Sequence, residues 1–513
     1  MITIKSLKAV KRVFMAIIIT GFMTLPAAAD TLRVGEMWQI DGLDPAKEGT
    51  FVKEKALITE TLVEADPNFA LVPGLAQSWK MLSETTWEIT LRPGVLFHNG
   101  ESLTAKSVAQ ALTRNLRINP SLAGITRIKG ISPAGDLILH IETDGLYPPL
   151  PATLVYADMA VAHPESKAND QGIIVHPIGT GPYKLKEWKR AEQKVLLEKF
   201  DDYWGEKARI GKIEFRSIPD PAIRSLEIQK GSVDLIPDAP YGDLDILRQK
   251  GLKVTIANTA RVYQINFGSL KDTPFADVRV RKALSHAVNR DEIVRYVLFG
   301  MGRPAAGAYE DTMAFANPSL KVPAFDPELS RELLSAAGWK GEGKKGFRQK
   351  SGKPLALTLY TYPQRPGLVP MAMAIAQQWE NVGVKADVRV MDWSAITAEM
   401  KPGDVRLAAF ASAMIPDPDY FLRRIYSKTG SDNKWGYEHS GIEEMLEAGI
   451  RETHAAKRVE IYKKAQALAF EDHSLIHVSY YGVNIVTSPR VKGFVFNPVA
   501  HDYMLNTLMY LED

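Results

Sequence analysis

Arg365 is the side chain whose position and chemistry together point most directly to ligand binding. It stands in the segment 362–366 (YPQRP), which follows a run with strand alternation and precedes a run with helical spacing. Ligands of open α/β sheets gather at the carboxyl ends of strands, and helix N-termini favour anions. Because a guanidinium matches a carboxylate two hydrogen bonds at a time, Arg365 is predicted to bind an anionic group. The alternative is a surface arginine in a proline-flanked loop.

The metal-binding candidates are histidines, because the chain has ten histidines and no cysteine. The absence of cysteine excludes thiolate metal sites and cysteine nucleophiles. His501 lies in the segment 497–501 (NPVAH). Its imidazole suits several divalent transition metals, but one histidine cannot complete a metal site. His473 and His477 are spaced i, i+4 and could share a metal on a helix, yet the residues around them favour a strand.

Four aromatic residues are candidates for the lining of a binding cleft: Trp38, Tyr263, Trp393 and Tyr420. Trp38 follows the first predicted strand, and Trp393 follows a predicted strand–helix–strand unit. Each of the four could equally pack in a hydrophobic core.

Motifs for enzymatic chemistry are missing from the sequence. It contains no G-x-S-x-G elbow, no H-E-x-x-H zinc helix and no P-loop. Its many carboxylates include no pair that the sequence singles out for acid–base work. We therefore expect a protein that is not an enzyme, and a periplasmic hydrolase is the alternative from a different class.

Short β-rich runs alternate with helical runs along the chain, which favours an α/β architecture. The clearest unit combines an alternating strand, a helix with one apolar face and a second strand. These signals lie at Leu355, Leu357 and Leu359, then at Met371, Ile375, Trp379 and Val382, and then at 384–390. Arg365 stands between the first strand of this unit and its helix.

Residues 1–29 have the composition of an export signal. Lys5, Lys8, Lys11 and Arg12 precede the apolar run 13–25, and three alanines precede Asp30. The apolar run is shorter than the roughly 20 residues of a membrane span, and no cysteine is available for a lipid anchor. We expect a soluble periplasmic protein cleaved after Ala29.

The basic character of the chain belongs to that N-terminal segment. Because residues 1–29 carry four basic and no acidic residues, the formal net charge of +3 becomes −1 without them. The remaining chain has no bulk attraction for nucleic acid, so none is expected as a partner.

An ordered set of short motifs resembles the large solute-binding proteins of ABC importers, in the family 5 class that carries peptides or nickel chelates. The motifs are 71–79 (LVPGLAQSW), 97–101 (FHNGE), 177–183 (PIGTGPY), 202–206 (DYWGE), 218–221 (IPDP), 231–235 (GSVDL) and 278–284 (VRVRKAL). The resemblance extends from about Thr31 to the C-terminus. Each motif alone is weak evidence for the family, whereas the whole set in this order is specific to it.

The resemblance implies a class II periplasmic-binding-protein fold, with two lobes, an extra subdomain and a ligand cleft between the lobes. The predicted parts are the signal peptide at 1–29, the lobe I core at 30–63, 178–262 and 487–513, the extra subdomain at 64–177, and lobe II at 263–486. Strands near Tyr263 and Tyr480 would cross between the lobes and act as the hinge. We expect a monomer that delivers its ligand to an inner-membrane ABC permease.

Within the family, the nickel-chelate branch is the better match, through 203–207 (YWGEK) and 336–339 (AAGW). Proteins of that branch take the ion already wrapped in a small chelator such as histidine. His501 resembles the histidine that reaches the metal, and Arg365 resembles the arginine that holds the chelator. The resemblance implies a nickel chelate as ligand, with Ni(II)–histidine as the candidate, and no cofactor.

Peptide-carrying relatives place an acidic residue just before a GDPD-like segment, where it holds the ammonium of the peptide. The matching segment here is 413–420 (AMIPDPDY), in which apolar Met414 and Ile415 occupy that neighbourhood. A buried ammonium without a counter-ion costs several kcal/mol. A di- or oligopeptide and a metal–opine complex remain alternatives, and cobalt, copper and zinc remain alternatives to nickel.

Overall fold

Strands and helices alternate along residues 30–341 and 346–512, which are the residues described by this computed structural model. The predicted signal peptide, 1–29, lies outside the described residues. The strands are β1 (Thr31–Glu36), β2 (Val63–Ala65), β3 (Leu71–Pro73), β4 (Ala76–Ser83), β5 (Thr86–Leu91), β6 (Ile128–Pro133), β7 (Ile138–Thr143), β8 (Lys167–Ala168), β9 (Ile174–His176), β10 (Tyr183–Lys189), β11 (Lys194–Lys199), β12 (Lys212–Ser217), β13 (Leu235–Pro237), β14 (Lys253–Phe267), β15 (Arg303–Pro304), β16 (Gln349–Lys350), β17 (Lys353–Pro354), β18 (Ala356–Thr361), β19 (Lys385–Val390), β20 (Val405–Ala411), β21 (Ile476–Thr487), β22 (Val491–Lys492) and β23 (Tyr510–Leu511).

The helices alternate with the strands along the chain. They are α1 (Pro45–Gly49), α2 (Ala105–Ile118), α3 (Ser121–Thr126), α4 (Leu150–Thr153), α5 (Pro221–Gln229), α6 (Leu244–Gln249), α7 (Val278–His286), α8 (Arg290–Glu292), α9 (Pro327–Ala336), α10 (Leu368–Asn381), α11 (Trp393–Glu399), α12 (Pro418–Tyr426), α13 (Ser440–Arg451) and α14 (Ala455–Glu471). Thr50–Lys55 and Ile293–Val297 are short π-helical segments.

One large mixed sheet runs through the molecule in the order β10-β11-β12-β1-β13-β21-β14-β20-β18-β19, with β15 paired to β21. Strand β1 is parallel to β12 and β13, and β18 is parallel to β19 and β20. The long strands β14 and β21 are antiparallel neighbours at the centre, and they join the two halves of the sheet.

The strand–helix–strand unit predicted around Arg365 is present as β18, α10 and β19. Its strands are parallel, and Met371, Ile375 and Trp379 of α10 are fully buried against them. The apolar spacing of 3.6 residues therefore identified the buried face of this helix correctly.

A second, separate core lies in the segment predicted as the extra subdomain. Strands β4, β5, β7 and β6 form a four-stranded antiparallel sheet, and α2 contributes Val108 and Leu112 to its core. The Thr104 side chain caps α2, because its hydroxyl oxygen accepts a hydrogen bond from the Ser107 N–H at 3.1 Å.

The helical segment that follows α7 changes its geometry along its length. Residues Arg290–Glu292 form one short α-helical stretch and Ile293–Val297 widen into a π-helical segment. The Leu298 N–H donates to the Ile293 carbonyl, five residues back. Three β-branched residues in five, which crowd the preceding turn of an α-helix, give this segment a weak preference for regular α-helix.

Candidate ligand-binding cavity

A cavity of about 650 Å³ lies where β14, β18 and β20 meet the loop after β1 and the C-terminal loop. Its size falls within the range of small-molecule sites, about 300–1,000 Å³. The lining residues are Trp38, Arg261, Asn266, Phe267, Gly268, Tyr362, Arg365, Trp393, Thr397, Met400, Pro402, Arg406, Ala409, Phe410, Ala411, Met414, Arg424, Asp432, Lys434, Trp435 and His501.

Arg365 lies on the cavity wall just after β18, where the sequence placed it, but it is already paired. One terminal nitrogen is 2.5 Å from Asp502 Oδ1, and the other is 3.3 Å from Asp238 Oδ2 and 3.1 Å from the Tyr481 hydroxyl. Arg365 is only 2% exposed, and its Nε is buried without a hydrogen-bond partner. Most of its hydrogen-bonding capacity therefore serves the protein itself.

Asp502 forms ion pairs with three buried cations beneath the cavity. Lys55 Nζ is 3.1 Å from its Oδ2, and Arg261 Nη2 and Arg365 Nη2 are 3.4 and 2.5 Å from its Oδ1. Burial alone would raise the pKa of Asp502, but Lys55 and Arg365 hold that pKa well below its usual range. Glu36 lies 2.8 Å from Lys55 and completes the cluster.

His501 reaches the cavity from the C-terminal loop, and its backbone is fixed on both sides. Its N–H donates to Glu54 Oε2 at 2.8 Å, and its carbonyl accepts from Arg261 Nε at 2.5 Å. The ring Nδ1 is buried without a hydrogen-bond partner. Burial, aided by the charge of Arg261, lowers the pKa of His501 well below its usual value. The imidazole is therefore neutral at ordinary pH, which is the form that binds metals.

His501 has too few neighbouring donors to cage a bare ion. Within residues 30–341 and 346–512, no group of three or more histidine, aspartate or glutamate residues could hold a metal. The other predicted pair, His473 and His477, is not on a helix: His477 lies on β21 and His473 precedes it with φ of 44°. A metal at this cavity would need donors from its own chelator.

Aromatic rings form one wall of the cavity. Trp38 is held by a hydrogen bond from its Nε1 to Asp502 Oδ2 at 2.9 Å. The Tyr362 ring lies between Trp38 and Trp393, at 6.4 and 5.6 Å between centroids, and Phe410 packs edge-on to Trp393 at 6.1 Å. Trp393 is 41% exposed, so a large apolar face remains available to a ligand.

Tyr263 and Tyr420, the other two aromatic candidates, do not line this cavity. Tyr263 is 1% exposed and packs in the core against Tyr241 and Tyr481, with its hydroxyl 3.3 Å from that of Tyr241. Tyr420 lines a second cavity, of about 400 Å³, between the α3 region and α12. Arg424, which hydrogen-bonds to the Tyr420 hydroxyl at 2.7 Å, contributes to both cavities.

The segment compared with peptide carriers offers no unpaired carboxylate to the cavity. Met414 lies on the wall and Ile415 is buried. Asp417 forms an ion pair with Arg458, and Asp419 forms one with Arg423 at 2.8 Å. Asp432, the one carboxylate that lines the cavity among the described residues, is paired with Arg424.

The sequence analysis missed most of the polar wall. Arg406, Arg424, Lys434 and the indole of Trp435 line the cavity. Arg406 lies on β20, where the sequence 405–411 (VRLAAFA) contains one charge in an apolar run. That lone charge is the signal that could have identified Arg406, since an arginine within a buried strand needs a partner.

The described residues contain no helix that is long and apolar enough to cross a membrane.

Comparisons with known proteins agree with this architecture. Residues 70–433 match the family described as bacterial extracellular solute-binding proteins, family 5 Middle. The nickel-binding protein NikA of Staphylococcus aureus is 25% identical over 498 residues, covering 96% of each chain. The dipeptide-binding protein of Escherichia coli is 26% identical over 482 residues, covering 85% of this chain and 86% of its own.

A solved structure of Staphylococcus aureus NikA, in complex with Ni(L-His)2, superposes with a TM-score of 0.83 at 23% identity. The superposition covers 94% of this chain and all of that one. The two-lobed α/β fold expected from the sequence is confirmed by this likeness.

Proposed function

The chain belongs to the bacterial extracellular solute-binding proteins of family 5, and we propose that it is the binding component of an ABC importer for a chelated nickel ion. In this proposal the protein captures Ni(II) complexed with a small chelator, such as histidine, in the cavity that contains His501. It then delivers the complex to an inner-membrane permease.

Sequence identity does not choose between nickel and peptide, because relatives named for each are equally similar. The choice rests on the cavity. His501 lines the cavity wall, and neither of its ring nitrogens forms a hydrogen bond with a described residue. Asp417 and Asp419 are both paired with arginines. A neutral imidazole is a good ligand for Ni(II), whereas a peptide ammonium would have no free carboxylate here.

In the proposed complex, His501 supplies one donor to the metal and the chelator supplies the rest. Trp38 and Trp393 cover the apolar faces of the chelator. Arg365, held by Asp502 and Asp238, contributes positive potential, while its terminal nitrogens stay with the protein.

Ligand would shift an existing equilibrium between open and closed arrangements of the lobes. Strands β14 and β21 are the proposed hinge, since they connect the two halves of the large sheet side by side. Export to the periplasm with cleavage after Ala29 is part of the same proposal, and the mass of the secreted protein would test it.

Calorimetric titrations of the purified protein test the function. Nickel with excess histidine is expected to bind saturably with one complex per protein, nickel alone weakly, and a mixture of di- to pentapeptides not at all. Tight binding of peptides without binding of any nickel complex would replace this proposal with a peptide carrier. Turnover of any added substrate would favour a hydrolase instead.

A further inference from the structure

A further cavity, of about 280 Å³, lies where the turn between β2 and β3 meets β14, the segment 310–313 and Pro498. It shares no lining residue with the cavity that contains His501. Asn258 and Thr259 line it at an irregularity in the pairing of β14 with β21, so it borders the proposed hinge. The lining residues are Pro67, Asn68, Phe69, Asn258, Thr259, Glu310, Thr312, Met313 and Pro498.

Glu310 is the one charged residue among the described residues that line this cavity. It is only 5% exposed, and its Oε1 forms no hydrogen bond with a described residue. Its ion-pair partner, Arg303, has its Nε 3.7 Å from that oxygen, which is too long for a hydrogen bond. Because buried polar atoms normally form hydrogen bonds, Glu310 has acceptor capacity left for a donor in the cavity.

The charges around Glu310 leave an excess of negative charge. Arg303 is shared with a second carboxylate, because its Nη1 lies 2.8 Å from Asp311 Oδ2. One guanidinium therefore serves two carboxylates. Burial raises the pKa of Glu310, and the charge of Arg303 opposes that rise. A cation placed in the cavity would stabilise the ionised form of Glu310.

Phe69 lines the same cavity with a strained backbone. Its φ is 63°, in the left-handed region where a bulky residue is an outlier. It lies in the tight turn between β2 and β3, where its N–H donates to the Asp66 carbonyl at 2.9 Å, and glycine adopts such a conformation most readily. Backbone strain of this kind costs on the order of 1–3 kcal/mol and clusters at ligand clamps. The aromatic ring at this position therefore indicates a role that glycine could not supply.

We propose that this cavity binds a small organic cation, whose ammonium group pairs with Glu310 and whose apolar body packs against Phe69 and Met313. The inference goes beyond the proposed function, because this cavity is separate from the one assigned to the nickel chelate. An ammonium supplies the hydrogen-bond donors that Glu310 lacks, and an aromatic ring attracts a cation. Asn68 and Thr312 are exposed at the rim, so a ligand dissolved in water can reach the cavity.

Three probes of similar shape and different charge test the inference: benzylammonium, benzyl alcohol and phenylacetate. Each is titrated into the purified protein at neutral pH, and binding is followed by ligand-observed NMR. Benzylammonium is expected to bind at least about tenfold more tightly than benzyl alcohol, because hydrogen bonds to an ionised carboxylate are stronger when the donor is charged. Phenylacetate is expected not to bind at this cavity, since its charge has the same sign as that of Glu310.

Glu310→Gln keeps the shape of the side chain and removes its charge, so the preference for benzylammonium should fall below about threefold. Glu328→Gln, which changes a carboxylate that is 79% exposed and lies outside the cavity, is the matched control and should keep the full preference. Phe69→Gly removes the ring and preserves the turn, because glycine adopts positive φ without strain. This variant should bind benzylammonium at least about threefold more weakly, since it loses the cation–π contact.

Three outcomes would overturn the inference. Benzylammonium could fail to bind, benzyl alcohol could bind as tightly as benzylammonium, or the preference could survive Glu310→Gln in folded protein. Nickel–histidine binding would stand in all three cases, because the two cavities have no lining residue in common. Failure of this inference is therefore distinguishable from failure of the proposed function.

Discussion

Replacing Arg365 with methionine should destabilise the protein far more than a surface arginine substitution does. Methionine keeps much of the side-chain volume but removes the charge that lies between Asp238 and Asp502. Asp502 would retain Lys55 and Arg261 as partners. Asp238, which is 0% exposed, would lose Arg365, its ion-pair partner. Among the described residues it would retain the hydrogen bond from the Tyr481 hydroxyl and the nearby charge of Arg224.

The expected loss of stability depends on the carboxylate of Asp238, which loses its ion-pair partner. Breaking a buried ion pair from one side costs about 3–5 kcal/mol, because the remaining charge stays buried. We therefore expect Arg365→Met to lower the free energy of unfolding by about 3–5 kcal/mol. Adding Asp238→Asn removes the unpaired buried charge, so the double variant should recover part of that loss. The coupling free energy between the two substitutions should be about 1–3 kcal/mol.

Urea unfolding followed by tryptophan fluorescence measures these free energies. The control is Arg248→Gln, which breaks an exposed pair with Asp245, where the two side chains are 44% and 85% exposed. An exposed pair contributes about 1 kcal/mol or less. If Arg365→Met unfolded within 1 kcal/mol of the unsubstituted protein, the pairing with Asp238 and Asp502 would not be structural, and Arg365 would be free to bind ligand.

Two further predictions concern histidines. His501→Ala should weaken nickel–histidine binding at least tenfold, or about 1.4 kcal/mol, whereas exposed His454→Ala should leave the calorimetric affinity unchanged; equal affinities for both variants would remove His501 from the metal. Burial lowers the pKa of His98 to about 4, and its neutral ring accepts from the Gly179 N–H at 3.2 Å and donates to the Gly181 carbonyl at 2.9 Å. A depressed pKa adds stability that is present above about pH 6.5 and is lost as the pH falls towards 4. When the pH is lowered from 7.5 to 5, the free energy of unfolding of His98→Asn should therefore fall by about 2 kcal/mol less than that of the unsubstituted protein. Urea unfolding at both pH values measures this difference, and an equal loss in the two proteins would contradict the prediction.

Local patterns in the sequence predicted the unit around Arg365 well. The alternation in β18 and the apolar face of α10 are set by neighbours a few residues apart, and Trp379 is buried as its spacing requires. The partners of Arg365 were not predictable in this way, since Asp238 and Asp502 lie 127 and 137 residues away in the chain. Only the folded sheet brings them together.

Strand periodicity also fails where a strand is covered on both sides. Every residue from 259 to 267 of β14 is buried, so the alternation of side chains does not reveal which face borders the cavity. Tyr263 consequently lies in the core, while Arg261 and Asn266 of the same strand line the cavity. The position of His501 came from family resemblance, because no pattern in a C-terminal loop predicts what that loop approaches.

Native mass spectrometry tests the central claim most directly, because it weighs the metal and its chelator together on the protein. Purified protein is mixed with nickel alone, with nickel and excess histidine, and with a di- to pentapeptide mixture. The account predicts one adduct whose mass equals nickel plus chelator, and no stoichiometric adduct with nickel alone or with peptide. A stoichiometric adduct of bare nickel, or of peptide without nickel, would contradict it.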